Sequence, residues 1–138
     1  MDAKVIWKNG LSFTGVSGSG FEIPMGTSVE HGGAGDGMSP MEMVLIALGG
    51  CTAFDVISIL KKKQQEVTAF EIKVHGDRAT EHPMVYTDIT LEYIVTGHHI
   101  DPVAVTRAVE LSEGKYCSVS AMLSKAANIK IKTTVLEA

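Results

Sequence analysis

The stretch Ser39-Pro40-Met41-Glu42-Met43-Val44-Leu45-Ile46-Ala47-Leu48-Gly49-Gly50-Cys51-Thr52-Ala53-Phe54-Asp55-Val56-Ile57-Ser58-Ile59-Leu60, followed by Lys61-Lys62-Lys63, organises the whole chain. It opens with helix-start signals. Ser39 can cap, Pro40 takes the first helical position, and Glu42 stands where a capping box needs its acid. The three lysines suit the negative end of a helix. Gly49-Gly50 costs about 1 kcal/mol per glycine relative to alanine, which predicts close approach of another backbone at that level. Met43 to Leu48 and then Phe54, Val56, Ile57, Ile59 and Leu60 place apolar side chains on every face. A helix apolar all round must be covered all round, and one small sheet covers one side only. The chain is therefore expected to be an obligate homodimer with this helix at its centre. The segment is also long enough to span a bilayer, but Glu42 and Asp55 are costly in lipid, so burial in protein is expected instead.

Before the helix, Ala3–Lys8 and Leu11–Val16 flank Asn9-Gly10, a strong hairpin signal, and Phe21–Met25 supplies a third short strand. A polar, glycine-rich loop spans Thr27 to Gly37. After the helix, Val67–Val74 and Val85–Val95 alternate, the second with Ile89, Leu91, Tyr93 and Val95 on one face. Asp101-Pro102 starts a second helix, Val103 to Glu113, which Gly114 can end. A third helix is expected over Ser118 to Ala127, and Ile129–Leu136 closes the chain as a strand. Strands, long helix, strands, two helices, strand: the class is α+β, in a single domain spanning residues 1–138.

The chain has 138 residues with 12 Lys+Arg against 16 Asp+Glu, a net charge of −4. An acidic chain without a basic stripe lacks the electrostatic footprint of a nucleic-acid or anionic-membrane binder. Two cysteines are too few for a disulfide scaffold. Met1-Asp2-Ala3-Lys4 runs straight into a strand with no signal-peptide pattern, so a cytoplasmic location is expected.

Gly15-Val16-Ser17-Gly18-Ser19-Gly20 leads into a strand, so no helix N-terminus receives a phosphate. Gly32 to Gly37 lacks a P-loop ending. His31, His75, His82, His98 and His99 show no metal-ligand spacing and read as surface histidines. The two cysteines remain. Cys51 lies mid-helix in apolar company, where a thiol is often an inert small hydrophobe. Cys117, in Lys115-Tyr116-Cys117-Ser118-Val119-Ser120, sits at a helix start with Lys115 nearby, a setting expected to lower its pKa.

Ser39-Pro40-Met41-Glu42-Met43-Val44-Leu45 with Gly49-Gly50-Cys51-Thr52, together with Lys115-Tyr116-Cys117-Ser118-Val119-Ser120, resembles the OsmC/Ohr family, the osmotically inducible protein C and organic hydroperoxide resistance proteins. Within it the chain looks most like the YhfA-type branch. The resemblance covers essentially the whole chain and implies an intertwined homodimer with its central helices packed together. It also implies a thiol peroxidase. Cys51 is then the peroxidatic thiolate that attacks an organic hydroperoxide, and Cys117 the resolving thiol that closes a Cys51–Cys117 disulfide. Small dithiols or lipoylated proteins are the implied reductants, with no bound cofactor and no metal.

Two positions depart from the family pattern. Met41 stands where the characterised peroxidases carry Glu, and Glu42 is turned about 100° around the helix from that position. The family's activating Arg has no counterpart, since the only arginines are Arg78 and Arg107. Lys8 and His31 are the nearest cationic candidates by position. The charge that lowers the Cys51 pKa is therefore missing or supplied differently. These departures favour the alternative reading, a non-catalytic dimer that binds a small apolar or electrophilic ligand, or a thiol redox sensor.

Overall fold

In the computed structural model, which describes residues 1–138, the capping box at the start of the long helix is formed from both sides. The Ser39 N–H donates to Glu42 Oε2 at 2.8 Å and the Glu42 N–H donates to Ser39 Oγ at 3.3 Å. Helix α1 follows as Pro40–Lys62, with Lys61 and Lys62 in its last turn. Residues Met1–Val44 and Leu45–Ala138 form two compact units, and α1 runs through the boundary.

The first unit is an antiparallel meander of β1 (Ala3–Asn9), β2 (Ser12–Ser17) and β3 (Glu22–Met25). Gly10, at φ +50°, makes the turn that lets Asn9 pair with Ser12. The glycine-rich loop is held to this sheet by the Ser12 hydroxyl, which donates to Asp36 Oδ2 at 2.7 Å. Within the loop, Val29–His31 forms one turn of 3-10 helix. Every residue of β1 is exposed, Val5, Ile6 and Trp7 included.

In the second unit, β4 (Glu66–Arg78), β5 (Tyr86–His98) and β6 (Asn128–Glu137) form a sheet in that order. The β4–β5 pairing is antiparallel and the β5–β6 pairing parallel. A parallel return needs a crossover, because a tight turn reverses direction. Helix α2 (Pro102–Leu111), a π-helical turn at Ser112–Tyr116 and α3 (Ser118–Leu123) supply it. Asp101 caps α2 by accepting from the Val103 N–H at 2.9 Å. Gly114 does not end α2, as its composition suggested. The helix stops at Leu111, and the chain winds through the wider turn that contains Gly114. Helix α3 is also shorter than expected, leaving the helical state after Leu123 rather than at Ala127.

The core follows the alternation of β5: Ile89, Leu91, Tyr93 and Val95 are buried together. On α1 the buried positions are Leu48, Gly49, Thr52, Val56 and Leu60, a stripe that recurs every four residues after Leu48. Gly49 is there for space. A Cβ built on it lies 2.9 Å from Val74 Cγ2 of β4, so the close approach is to a side chain of the same chain's sheet. Gly50 faces open space. Ile46 and Phe54 are exposed on the other faces of α1. By length and composition α1 is apolar enough to cross a membrane, and only 28 % of its apolar window is buried within the chain. Architecture and element order are α+β, as the sequence implies.

Candidate thiol site

Cys51 occupies the middle of α1, one residue before the buried Thr52. Cys117 occupies the N-cap position of α3, where its Sγ accepts the Ser120 N–H at 3.3 Å. Sulfur here does what a Ser or Asp oxygen usually does at a helix start. The crossover brings this cap down onto α1, close enough for Cys51 to act on the Cys117 thiol, and both thiols are free. Cys117 is buried, 2 % exposed, while Cys51 is half-buried.

The expectation of a lowered Cys117 pKa is overturned. Burial removes the water that would stabilise a thiolate and pushes the Cys117 thiol up to about 12. The Ser120 N–H opposes this. The contact with Cys51 and the negative charge of Glu113 push the same way as burial. Lys115 gives no help, because its ammonium lies over the Tyr116 ring, 5.2 Å from the centroid. The six-residue α3 places one N–H on the sulfur, which is too little to offset the lost hydration.

A buried hydroxyl network surrounds the pair. Thr52 Oγ1 contacts the Tyr93 OH and the Ser112 Oγ, both at 2.8 Å. Ser112 donates to Asp55 Oδ2 at 2.9 Å, and Tyr93 donates to Glu113 Oε1 at 3.0 Å. The other oxygen of Glu113 accepts from the Ser120 hydroxyl. Burial, helped by Glu113, holds the Tyr93 phenol well above its usual range, so it stays a donor. No buried side-chain nitrogen or oxygen lacks a partner.

Sequence reading found the two cysteines and missed the groups around them. The available signal was the pair of polar residues, Thr52 and Asp55, interrupting an otherwise apolar helix. Tyr93 on the buried face of β5 is the matching partner, and neither reveals the other without the fold.

The remaining candidates are elsewhere. Arg78 donates to the Met84 carbonyl at 2.8 Å, and Arg107 pairs with Glu110 at 3.5 Å. Neither is among the groups acting on Cys117. His31 contacts Ser28, His75 pairs with Asp77 and His99 with Glu137, all at the surface. No group of three or more His, Cys, Asp or Glu side chains is placed to hold a metal ion.

Comparison with known proteins agrees with the fold. The family model described as OsmC-like protein matches residues 33–132. Protein YhfA of Escherichia coli is 51% identical over 130 residues, which cover 94% of this chain and 93% of that protein. A hypothetical protein from Aquifex aeolicus, 34% identical, superposes with a TM-score of 0.88 over 99% of this chain and 96% of its own. The organic hydroperoxide resistance protein OhrB of Bacillus subtilis, 15% identical, superposes with a TM-score of 0.65 over 97% and 98% of the two chains. The match across the thiol site and the long shared identity place this chain in the OsmC-like family, which is linked to peroxide and redox stress defence.

Proposed function

We propose that the protein is a cysteine-based peroxidase of organic hydroperoxides. The observation that carries this reading is the nearness of a half-buried Cys51 to a buried Cys117, close enough for the one to act on the other. A buried thiol with a raised pKa is a poor first nucleophile, which leaves Cys51 to meet the peroxide. Its thiolate attacks the distal oxygen of ROOH, the O–O bond breaks, and the alcohol leaves after taking a proton. Cys51 is then a sulfenic acid. Attack by Cys117 sulfur forms the S–S bond and releases the oxygen as water. An external dithiol, small or on a lipoylated protein, restores both thiols by exchange, and no bound cofactor or metal takes part.

The same reading makes the active species a homodimer in the cytoplasm. Ile46 and Phe54 on α1, and Val5, Ile6 and Trp7 on β1, are apolar and exposed in the single chain. A second copy covers such faces, and Asp55, bonded to Ser112, suits protein better than lipid at this point of the helix.

A thiol sensor or a ligand-binding dimer is the second reading, and one observation favours it: no cation is among the groups acting on Cys117. Peroxide consumption with a dithiol reductant separates the two. Turnover of cumene hydroperoxide faster than hydrogen peroxide supports the enzyme, and no turnover of either removes it.

A further inference from the structure

Asp55, Ser112, Thr52, Tyr93 and Glu113 stand in one unbroken line of oxygen contacts, and that line holds one proton fewer than its contacts need. The contacts are Asp55–Ser112, Ser112–Thr52, Thr52–Tyr93 and Tyr93–Glu113. Each needs one proton, and the line holds one from each of Ser112, Thr52 and Tyr93. An ionised carboxylate only accepts. Ser112 donates to Asp55 and Tyr93 donates to Glu113. Thr52, with one hydrogen, can then donate to only one of its two partners. Its hydroxyl has two settings, and one added proton satisfies the whole line. Once Glu113 holds a proton, the Tyr93 hydroxyl turns from it toward Thr52. Such a line then accepts a proton at the Glu113 end and releases one at Asp55, each oxygen taking a proton and passing on its own.

The two ends lie in different surroundings. Asp55 lines a cleft of about 370 Å³ with Ser58, Lys62, Lys63 and Tyr116, open to water. Glu113 lies beside the thiols, close enough for its charge to act on Cys117, and holds Ser120, whose N–H caps the same sulfur. Cys117 itself is buried.

We propose that this line is a proton relay joining the buried Cys117 to the cleft at Asp55, with Glu113 as the proton acceptor and Thr52 as the positioning residue at its midpoint. The proposal rests on the disulfide step of the peroxidase reading. In that step the Cys117 S–H bond breaks and its proton goes to Glu113, which turns from Ser120 to take it. The sulfur electron pair forms the bond to Cys51 as the S–O bond of the sulfenic acid breaks. Hydroxide leaves and takes a proton from the water that reaches Cys51, while the line delivers one proton to the cleft, so the step is neutral overall.

The test measures the rate of Cys51–Cys117 closure in the full chain with two oxidants, by quenched alkylation and mass spectrometry, in H₂O and D₂O. Cumene hydroperoxide acts through the sulfenic acid. Diamide acts without it, its N=N bond taking up both electrons from the sulfurs and two protons from water, so the Cys117 proton still leaves by the line. Thr52→Val keeps the volume and removes the central hydroxyl. It should slow closure by about 100-fold or more with both oxidants, the low end of what positioned proton transfer contributes, and change the solvent isotope effect. Thr52→Ser should restore both, and Tyr93→Phe, which cuts the line one oxygen further on, should repeat the loss. Closure of Thr52→Val at the wild-type rate overturns the relay. So does a Thr52→Ser variant as slow as Thr52→Val, or a wild-type chain that diamide cannot close. If cumene hydroperoxide oxidises nothing while the diamide series behaves as described, the peroxidase reading falls and the relay stands.

Discussion

Cys51 lies close enough to Cys117 to act on its thiol, although one sits in the middle of α1 and the other caps α3 beyond the sheet strands that separate them in sequence. Their environments differ in the direction a two-step thiol reaction needs. The half-buried thiol is open to a small oxidant, and the buried one waits beside it as a neutral thiol.

Cys51→Ser should abolish peroxide turnover, because a hydroxyl is a far weaker nucleophile than a thiolate at neutral pH. Cys117→Ser should still allow one attack and leave Cys51 as a sulfenic acid that is trapped or over-oxidised. Mass spectrometry after one equivalent of cumene hydroperoxide reads this directly. Oxygen added at Cys117 with Cys51 still reduced reverses the assigned roles.

Alkaline stability should carry the signature of Cys117. Its thiol sits at about 12 when folded against an ordinary 9.0, so above 9 the unfolded chain releases a proton that the folded chain keeps. Stability is fully present below 9 and declines as pH rises toward 12. Denaturant melts between 9 and 10 should show a steeper decline for wild type than for Cys117→Ser, since both chains share the loss that unfolded Tyr93 adds. Equal slopes refute the assignment.

Tyr93→Phe should destabilise the fold by about 1–3 kcal/mol, since Thr52 and Glu113 each lose a partner in a buried site. Urea unfolding at neutral pH gives the difference. A change below about 0.5 kcal/mol, the size of an ordinary surface substitution, shows that the network contributes nothing to stability.

Gly49→Ala should be destabilising despite the roughly 1 kcal/mol that alanine gains over glycine in a helix. The new Cβ meets Val74 Cγ2 at 2.9 Å, and overpacking of this kind costs about 1–3 kcal/mol. Adding Val74→Ala removes the clash, so a thermal melt of the double variant should show non-additive recovery.

Sedimentation at micromolar concentration should find a dimer. Phe54, 80% exposed in the single chain, becomes buried in it, and Phe54→Lys should lower the melting temperature or shift the chain toward monomer. A compact wild-type monomer contradicts the dimer.

The local signals in the sequence determined the elements themselves. Ser39, Pro40 and Glu42 set where α1 starts, Asn9-Gly10 places the first hairpin, Asp101-Pro102 starts α2, and the alternation through Ile89, Leu91, Tyr93 and Val95 marks the buried face of β5. These are short-range properties: a cap, a turn and a side-chain period act within a few residues. The same reading singled out Cys51 and Cys117, and resemblance supplied their pairing. Tertiary structure decided what the site is made of. Thr52, Tyr93, Ser112 and Glu113 meet only because a parallel β5–β6 pairing forces the crossover back onto α1. It also reversed the Cys117 pKa, since a helix start favours a thiolate locally while burial disfavours it, and burial is a property of everything packed around the sulfur rather than of its neighbours in the chain.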